Sequence, residues 1–294
     1  MENRDRRLAR KDGLRKRCLG NGLSLQARER NRTAAEVADR SEEGEAMNYH
    51  DRPEVSATML KSMARGWRQF EAEHVLKTAP RKETDAMRLG TAIHAAILEP
   101  DRYANIYAMI PDECSDRRTK AYKEWAAING DRLALTRSDA ELIAYLCRQV
   151  ARCKTAATIL GAVGEAETEH TWESFGVDCR AKIDWRAGGI IADIKTCDDA
   201  TESQFAKTIA SYRYDLQGVH YLDGTKADRF IFIAIETSLP YRVRCYELCD
   251  ADRQRAEADR EELMAEYARR KVANDWSEQN ENDLRTIFLP NWRA

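Results

Sequence analysis

The stretch KIDWRAGGIIADIKT, residues 182–196, gathers the residues best suited to chemistry: Asp184, Asp193 and Lys195, set around a Gly-Gly pair. Ile190, Ile191 and Ile194 mark the second arm as a strand. There Asp193 and Lys195, two apart, take one face, and Ile190, Ala192 and Ile194 take the other. A two-residue turn at positions 188 and 189 pairs Ala187 with Ile190 and sets Asp184 opposite Asp193. A four-residue loop instead makes the two aspartates diagonal neighbours on that face. Carboxylates about 5 Å apart across strands repel unless a proton or cation intervenes. A divalent ion resolves the conflict, and oxygen donors favour a hard one such as Mg²⁺ or Mn²⁺. Lys195 then projects beside the ion as a point charge able to orient a water or stabilise a phosphorane-like transition state. A surface hairpin with a merely solvated charged face would explain a single Asp-x-Lys. The apolar flanking strands and the polar groups downstream argue against it.

These residues need elements to hold them. Ser56 caps a helix running to about Ala72, with Met59, Leu60, Met63 and Trp67 at helical spacing. A second helix, DAMRLGTAIHAAILEP, stops at Pro100. Two more are expected around 116–129 and 138–158. Strands follow at Glu167–Phe175, Val177–Trp185 and Ile190–Thr196. Phe205, Ile209, Tyr212, Leu216 and Val219 then predict a helix over 203–222. RFIFIAIE is a buried strand, YRVRCYEL an alternating one after Pro240, and a highly charged helix over 250–271 closes the pattern. The class is α/β or α+β, a mixed central β-sheet flanked by helices, with no internal repeat. Within it His94 lies between Ile93 and Ile97, where a packed helix histidine would also fit, and Gln217 and Tyr221 share one helix face.

Asp184, then Asp193-Ile194-Lys195, then QGVHY with Gln217 and Tyr221, resemble the PD-(D/E)XK nuclease core of the RecB-like type. GTAIH supplies the Gly-x-x-x-His element ending at His94. MRLGTAIHAAILEP, NYHDRPEVSATML and CRAKIDW followed by IADIKTCDDA are more specifically similar to the RecE-type exonuclease domain (exodeoxyribonuclease VIII) of prophages, over about residues 47–250. The resemblance implies a restriction-endonuclease-like core with Asp184, Asp193, the carbonyl of Ile194 and His94 around Mg²⁺, for which Mn²⁺ substitutes, and Lys195 as the catalytic lysine. Glu167 resembles the upstream acidic residue, with Glu165 and Glu169 as alternatives. Gln217 and Tyr221 would position DNA or the lysine, although a helix packing on the sheet also accounts for them. The family's proline-like slot before the first aspartate holds Ile183, which a strand tolerates. The implied activity is metal-assisted hydrolysis of linear double-stranded DNA, 5′→3′, with Lys195 helping to deprotonate the attacking water. It leaves 3′ single strands for a single-strand-annealing recombinase (RecT-like), and a homo-oligomeric ring around DNA is implied with it. An endonuclease of the same core acting on branched or single-stranded DNA, and an inactive fold serving as a DNA-binding module, are the competing functions.

Composition sets bounds on these readings. The chain has 294 residues, 33% of them charged, with a net charge of -2, so no overall basic excess points to nucleic acid. The first 32 residues hold 11 Lys or Arg against 4 Asp or Glu, a local patch. Residues 1–46 are accordingly expected to be a flexible basic extension, and 47–294 the exonuclease domain with its charged C-terminal helix. Among the eight cysteines, only Cys245 and Cys249, spaced C-x3-C, hint at a metal or iron–sulfur site; scattered free thiols in a reducing compartment are the other reading. No apolar run is long enough for a membrane span, and a cytoplasmic location is expected.

Overall fold

A computed structural model describes residues 52–79, 84–114, 116–278 and the single positions 284 and 286. The proposed extension over 1–46, and residues 47–51 with it, lie outside the described residues. A compact unit begins at Pro53. Its helices start where short hydroxyl side chains can cap them. Ser56 accepts from the Met59 amide ahead of α1 (Ala57–Arg65), and Thr84 from Met87 ahead of α3 (Asp85–Leu98). Thr119 accepts from Tyr122 ahead of α5 (Lys120–Asn129), and Thr136 from Asp139 ahead of α6 (Arg137–Arg152). Such a cap typically contributes about 1 kcal/mol.

Three expected helices are broken into shorter pieces, and the one expected over 116–129 begins only at Lys120. The first breaks at Gly66, continuing as α2 (Trp67–Phe70) and a π turn over Glu71–Val75. Pro100 ends one helix but also opens the next, α4 (Pro100–Ile106), because its fixed φ and missing N–H suit a first helical position. The helix over 138–158 divides at Cys153 into α6 and α7 (Lys154–Leu160). The helix over 203–222 divides at Arg213 into α8 (Glu202–Tyr212) and α9 (Tyr214–Thr225). Two short strands that the sequence pattern did not reveal, β1 (Tyr107–Met109) and β2 (Leu133–Leu135), form a small parallel pair.

The main sheet has the order β3-β4-β5-β6-β7. β3 (Glu165–Ser174), β4 (Val177–Ala187) and β5 (Ile190–Cys197) form an antiparallel meander. β6 (Arg229–Glu236) returns parallel to β5 after the α8–α9 crossover, and β7 (Val243–Tyr246) runs antiparallel to it. The sheet is therefore mixed and has helices on both faces. Ile93 of α3, Leu146 of α6 and Ile159 of α7 pack on Ala192, Ile194 and Ile233. On the opposite face Phe205 of α8 and Tyr221 of α9 pack on Ile183, Ile191 and Phe232. Met59, Leu60 and Met63 of α1 form a third cluster with Met264 and Tyr267 of α10 (Asp250–Ala273). Among the described residues, no helix is long and apolar enough to cross a membrane.

Candidate active site

The Gly-Gly loop is the two-residue turn: Ala187 pairs with Ile190, Arg186 with Ile191 and Trp185 with Ala192. Gly188 takes a left-handed φ of 56°, open to a residue without a Cβ. The ladder ends one pair short of Asp184 and Asp193, so their directly opposed arrangement gives way to a fork. In it Asp184 Oδ2 accepts the Ile194 amide at 2.8 Å, replacing a strand-to-strand bond. The β3–β4 ladder is interrupted at the same level. Ala166 pairs with Trp185 and Thr168 with Ile183, yet Glu167, between them, has a left-handed φ of 55°. A non-glycine residue in that conformation is a local cost of order 1–3 kcal/mol, and such residues cluster at functional sites.

Glu167, Asp184 and His94 converge at this fork, each offering a ligand atom, with those atoms all within 4.8 Å of one another. His94 Nδ1 lies 3.3 Å from Asp184 Oδ2. The backbone of Ile194, held by Asp184 through its amide, also lies against His94, so this residue borders both groups through its main chain. Gly90 explains the Gly-x-x-x-His spacing: a Cβ there would stand 3.3 Å from Thr196 Oγ1, so its absence lets α3 press against β5 one turn before His94. Of the three candidate glutamates, Glu167 is the one in the cluster. Its carboxylate meets the Lys182 ammonium at 2.6 Å. Burial, then the Asp193 charge, pushes the Asp184 carboxyl well above the usual range. Burial, then the Lys195 charge, holds His94 below the usual histidine value. Two carboxylates and an imidazole nitrogen converging on one partly buried point suit a divalent cation with mixed oxygen and nitrogen preference.

Asp193 belongs to an adjoining group. It is 1% exposed; one oxygen forms an ion pair with Lys195, and the other accepts from Gln217 Nε2 at 2.7 Å. Burial opposes the charge on Lys195, but Asp193 and Asp184 outweigh it and hold the ammonium above the usual lysine range. Gln217 Oε1 in turn accepts from Lys61 Nζ at 2.7 Å. Lys61 and Lys195 approach the Tyr214 ring to 4.7 and 4.8 Å from its centroid. Burial and the nearby Lys195 pull Lys61 down to about 7. Sequence reasoning missed Lys61 because its only local signal is a lysine in an amphipathic helix. Tyr221, expected with Gln217 to position DNA or the lysine or else to pack on the sheet, packs on the sheet. Both lie on the face of α9 turned to the sheet, but one turn further on that face meets Phe230, and Tyr221 packs there at 6.1 Å between ring centroids. Cys245 and Cys249 also part company: Cys245 lies partly buried beside Cys153, while Cys249 is exposed and donates to Asp252. Among the described residues, the one group of three or more His, Cys, Asp or Glu able to hold a metal is that of His94, Glu167 and Asp184.

No curated protein matches this sequence. Among solved structures, a candidate exonuclease from Eubacterium rectale superposes with a TM-score of 0.57 at 14% identity, covering 85% of this chain and 95% of its own. A phage-related exonuclease from Haemophilus somnus 129PT aligns at 13% identity over 78% of this chain and 99% of its own, with a TM-score of 0.35. The first of these likenesses supports the fold. A family profile described as "PDDEXK-like domain of unknown function (DUF3799)" matches residues 56–282, which span the fork, the meander and the crossover helices. The chain belongs to that PDDEXK-like family.

Proposed function

We propose that this protein is a divalent-metal-dependent deoxyribonuclease that digests linear double-stranded DNA 5′→3′. The observation that carries the reading is the fork between β4 and β5, where Asp184, Glu167 and His94 converge beside the Asp193–Lys195 pair. His94, Glu167 and Asp184 would hold Mg²⁺ or Mn²⁺, with Asp193 and the Ile194 carbonyl next to them. When bound, the cation supplies Lewis-acid polarisation of a phosphodiester and neutralises developing charge. The chain's own residues do the rest. Asp193 fixes the Lys195 ammonium where negative charge would grow on a phosphate. Gln217 keeps Asp193 oriented and links it to Lys61, whose amine, lowered to about 7, becomes a second cation when a backbone phosphate comes to face it.

The 5′→3′ polarity, the 3′ strand left for a single-strand-annealing recombinase and a ring-shaped homo-oligomer rest on the resemblance to RecE-type exonucleases. The fold shared with the E. rectale candidate exonuclease is in keeping with exonuclease activity and carries nothing about polarity or assembly. Incubating the protein with linear duplex labelled at the 5′ or the 3′ end, with Mg²⁺ or with EDTA, tests activity, metal dependence and polarity together. Release of the 5′ label in Mg²⁺ and none in EDTA is the expected result. Asp184→Ala and Asp193→Ala should each abolish release while leaving the far-UV circular dichroism intact. Full activity in EDTA or in Asp184→Ala would overturn the metal reading, and full activity in Asp193→Ala would overturn the role given to the Asp193–Lys195 pair.

A further inference from the structure

Tyr212 closes α8 and Tyr214 opens α9, with Arg213 between them in a left-handed conformation (φ 51, ψ 45). That conformation is disfavoured for a residue carrying a Cβ, so something must hold it. The Arg213 guanidinium grips Asp215 through Nε and Nη2, at 3.1 Å to each of its oxygens at closest, and reaches Asp259 of α10 at 2.6 Å. The braced corner keeps the two tyrosines parallel, with ring centroids 5.5 Å apart and planes inclined by 18°. The inner ring, Tyr214, lies against Phe232 and next to the Nζ atoms of Lys61 and Lys195. The outer ring, Tyr212, is 63% exposed. Core packing does not account for an aromatic side chain left in water one ring away from the site's lysines.

We infer that Tyr212 and Tyr214 form a stacking platform for an unpaired nucleobase of the strand whose phosphate meets Lys61 and Lys195; this rests on the nuclease reading above. An aromatic face beside paired cations matches how single-stranded nucleic acid is held: phosphates on the cations, bases on the rings, with little dependence on sequence because every base has a π face. The outer ring takes the base, and the inner ring stiffens it and ties its position to the catalytic lysine. The ligand is thus a strand end with an unpaired base, rather than a fully paired one.

The test compares two labelled duplexes that differ only in their short single-stranded end, one carrying bases and one abasic. Binding is measured with Ca²⁺ in place of Mg²⁺, and cleavage in Mg²⁺ is followed in parallel. The wild type should prefer the base-bearing end by about tenfold, the scale of one base–aromatic stack. Tyr212→Ala, at an exposed position, should erase that preference, and Tyr212→Phe should keep it. A wild type that cuts DNA but shows no preference, or a Tyr212→Ala variant that retains it, overturns the platform and leaves the nuclease reading standing. A Tyr212-dependent preference without cleavage supports the platform and overturns the nuclease reading. A wild type that binds neither duplex overturns both.

Discussion

At Lys195 the ammonium is paired with Asp193 and faces Tyr214, yet it cannot itself be a ligand of a hard metal while protonated. Replacing it should therefore separate metal binding from cutting. Lys195→Ala should bind Mn²⁺ as tightly as the wild type or slightly more so, because a like charge near the cation is gone. Its single-turnover digestion should fall about a hundredfold to a thousandfold, the usual loss for one preorganised electrostatic group. Lys195→Arg should recover little, since the planar guanidinium is no substitute for a compact ammonium. Calorimetry for the metal and quench-flow digestion at saturating Mg²⁺ check the two halves; a defect that disappears at high Mg²⁺ would make Lys195 an organiser of the metal site instead. Lys61→Met serves as the contrast. Since Lys61 reaches Asp193 only through Gln217, it should weaken duplex affinity severalfold and lower kcat less than Lys195→Ala does. Asp184, Asp193 and Lys195 were legible in the sequence because strand alternation and a two-residue turn are local rules. Glu167 was not separable from Glu165 and Glu169, since what singles it out is a left-handed break within the strand. Lys61 lies 156 residues from its partner Gln217, and nothing local announces their hydrogen bond.

α9 does two things at once, and its histidine shows how the element is held. Gln217 faces the site, while His220, fully buried, shares its Nε2 proton between the carbonyls of Val55 at 3.2 Å and Arg180 at 3.3 Å. Its Nδ1 accepts from Arg260 Nε of α10 at 3.2 Å. Arg260 also pairs with Asp223, which accepts from Trp172. One imidazole thus ties α9 to β4, to the segment leading into α1 and to α10, and so helps set where Lys61 stands. Burial, then the Arg260 charge, depresses His220 to about 3. Between that value and the unfolded histidine value near 6.5, the unfolded chain binds a proton that the native one does not. Stability is therefore lost as pH falls through about 6.5, and the loss is complete near 3. From pH 7 to pH 5 this group should remove about 2 kcal/mol. His220→Gln, which keeps one donor and one acceptor, should be less stable than the wild type at pH 7, and urea titrations should show the gap narrowing by about that amount at pH 5. A gap that does not change with pH would mean that His220 is not buried in its neutral form. The elements themselves were largely readable from periodicity and capping residues. Their breaks at Cys153 and Arg213 were not, because no proline or glycine marks them and tertiary partners impose them.

On the scale of the whole molecule, acidic and basic residues nearly balance, with a net charge of -2, so attraction to DNA has to come from local groups. The site contributes Lys61 and Lys195. The other basic concentration is in the first 32 residues, with 11 Lys or Arg against 4 Asp or Glu. The compact unit starts at Pro53 and the family match at residue 56, so that basic stretch precedes both. If it pairs with phosphates without contributing to the core, a protein starting at Met47 should keep the thermal midpoint of the full chain and digest linear duplex at a similar kcat. Its duplex affinity should drop, and the slope of log K against log salt should become shallower by about 0.9 for each phosphate that the stretch would have neutralised. Fluorescence anisotropy across a salt series, beside a thermal melt, measures both on the same samples. An unchanged slope would place the basic stretch away from the DNA. An insoluble or inactive shortened protein would instead make those first residues part of the catalytic fold, with the boundary near residue 53 marking a joint within one cooperative unit.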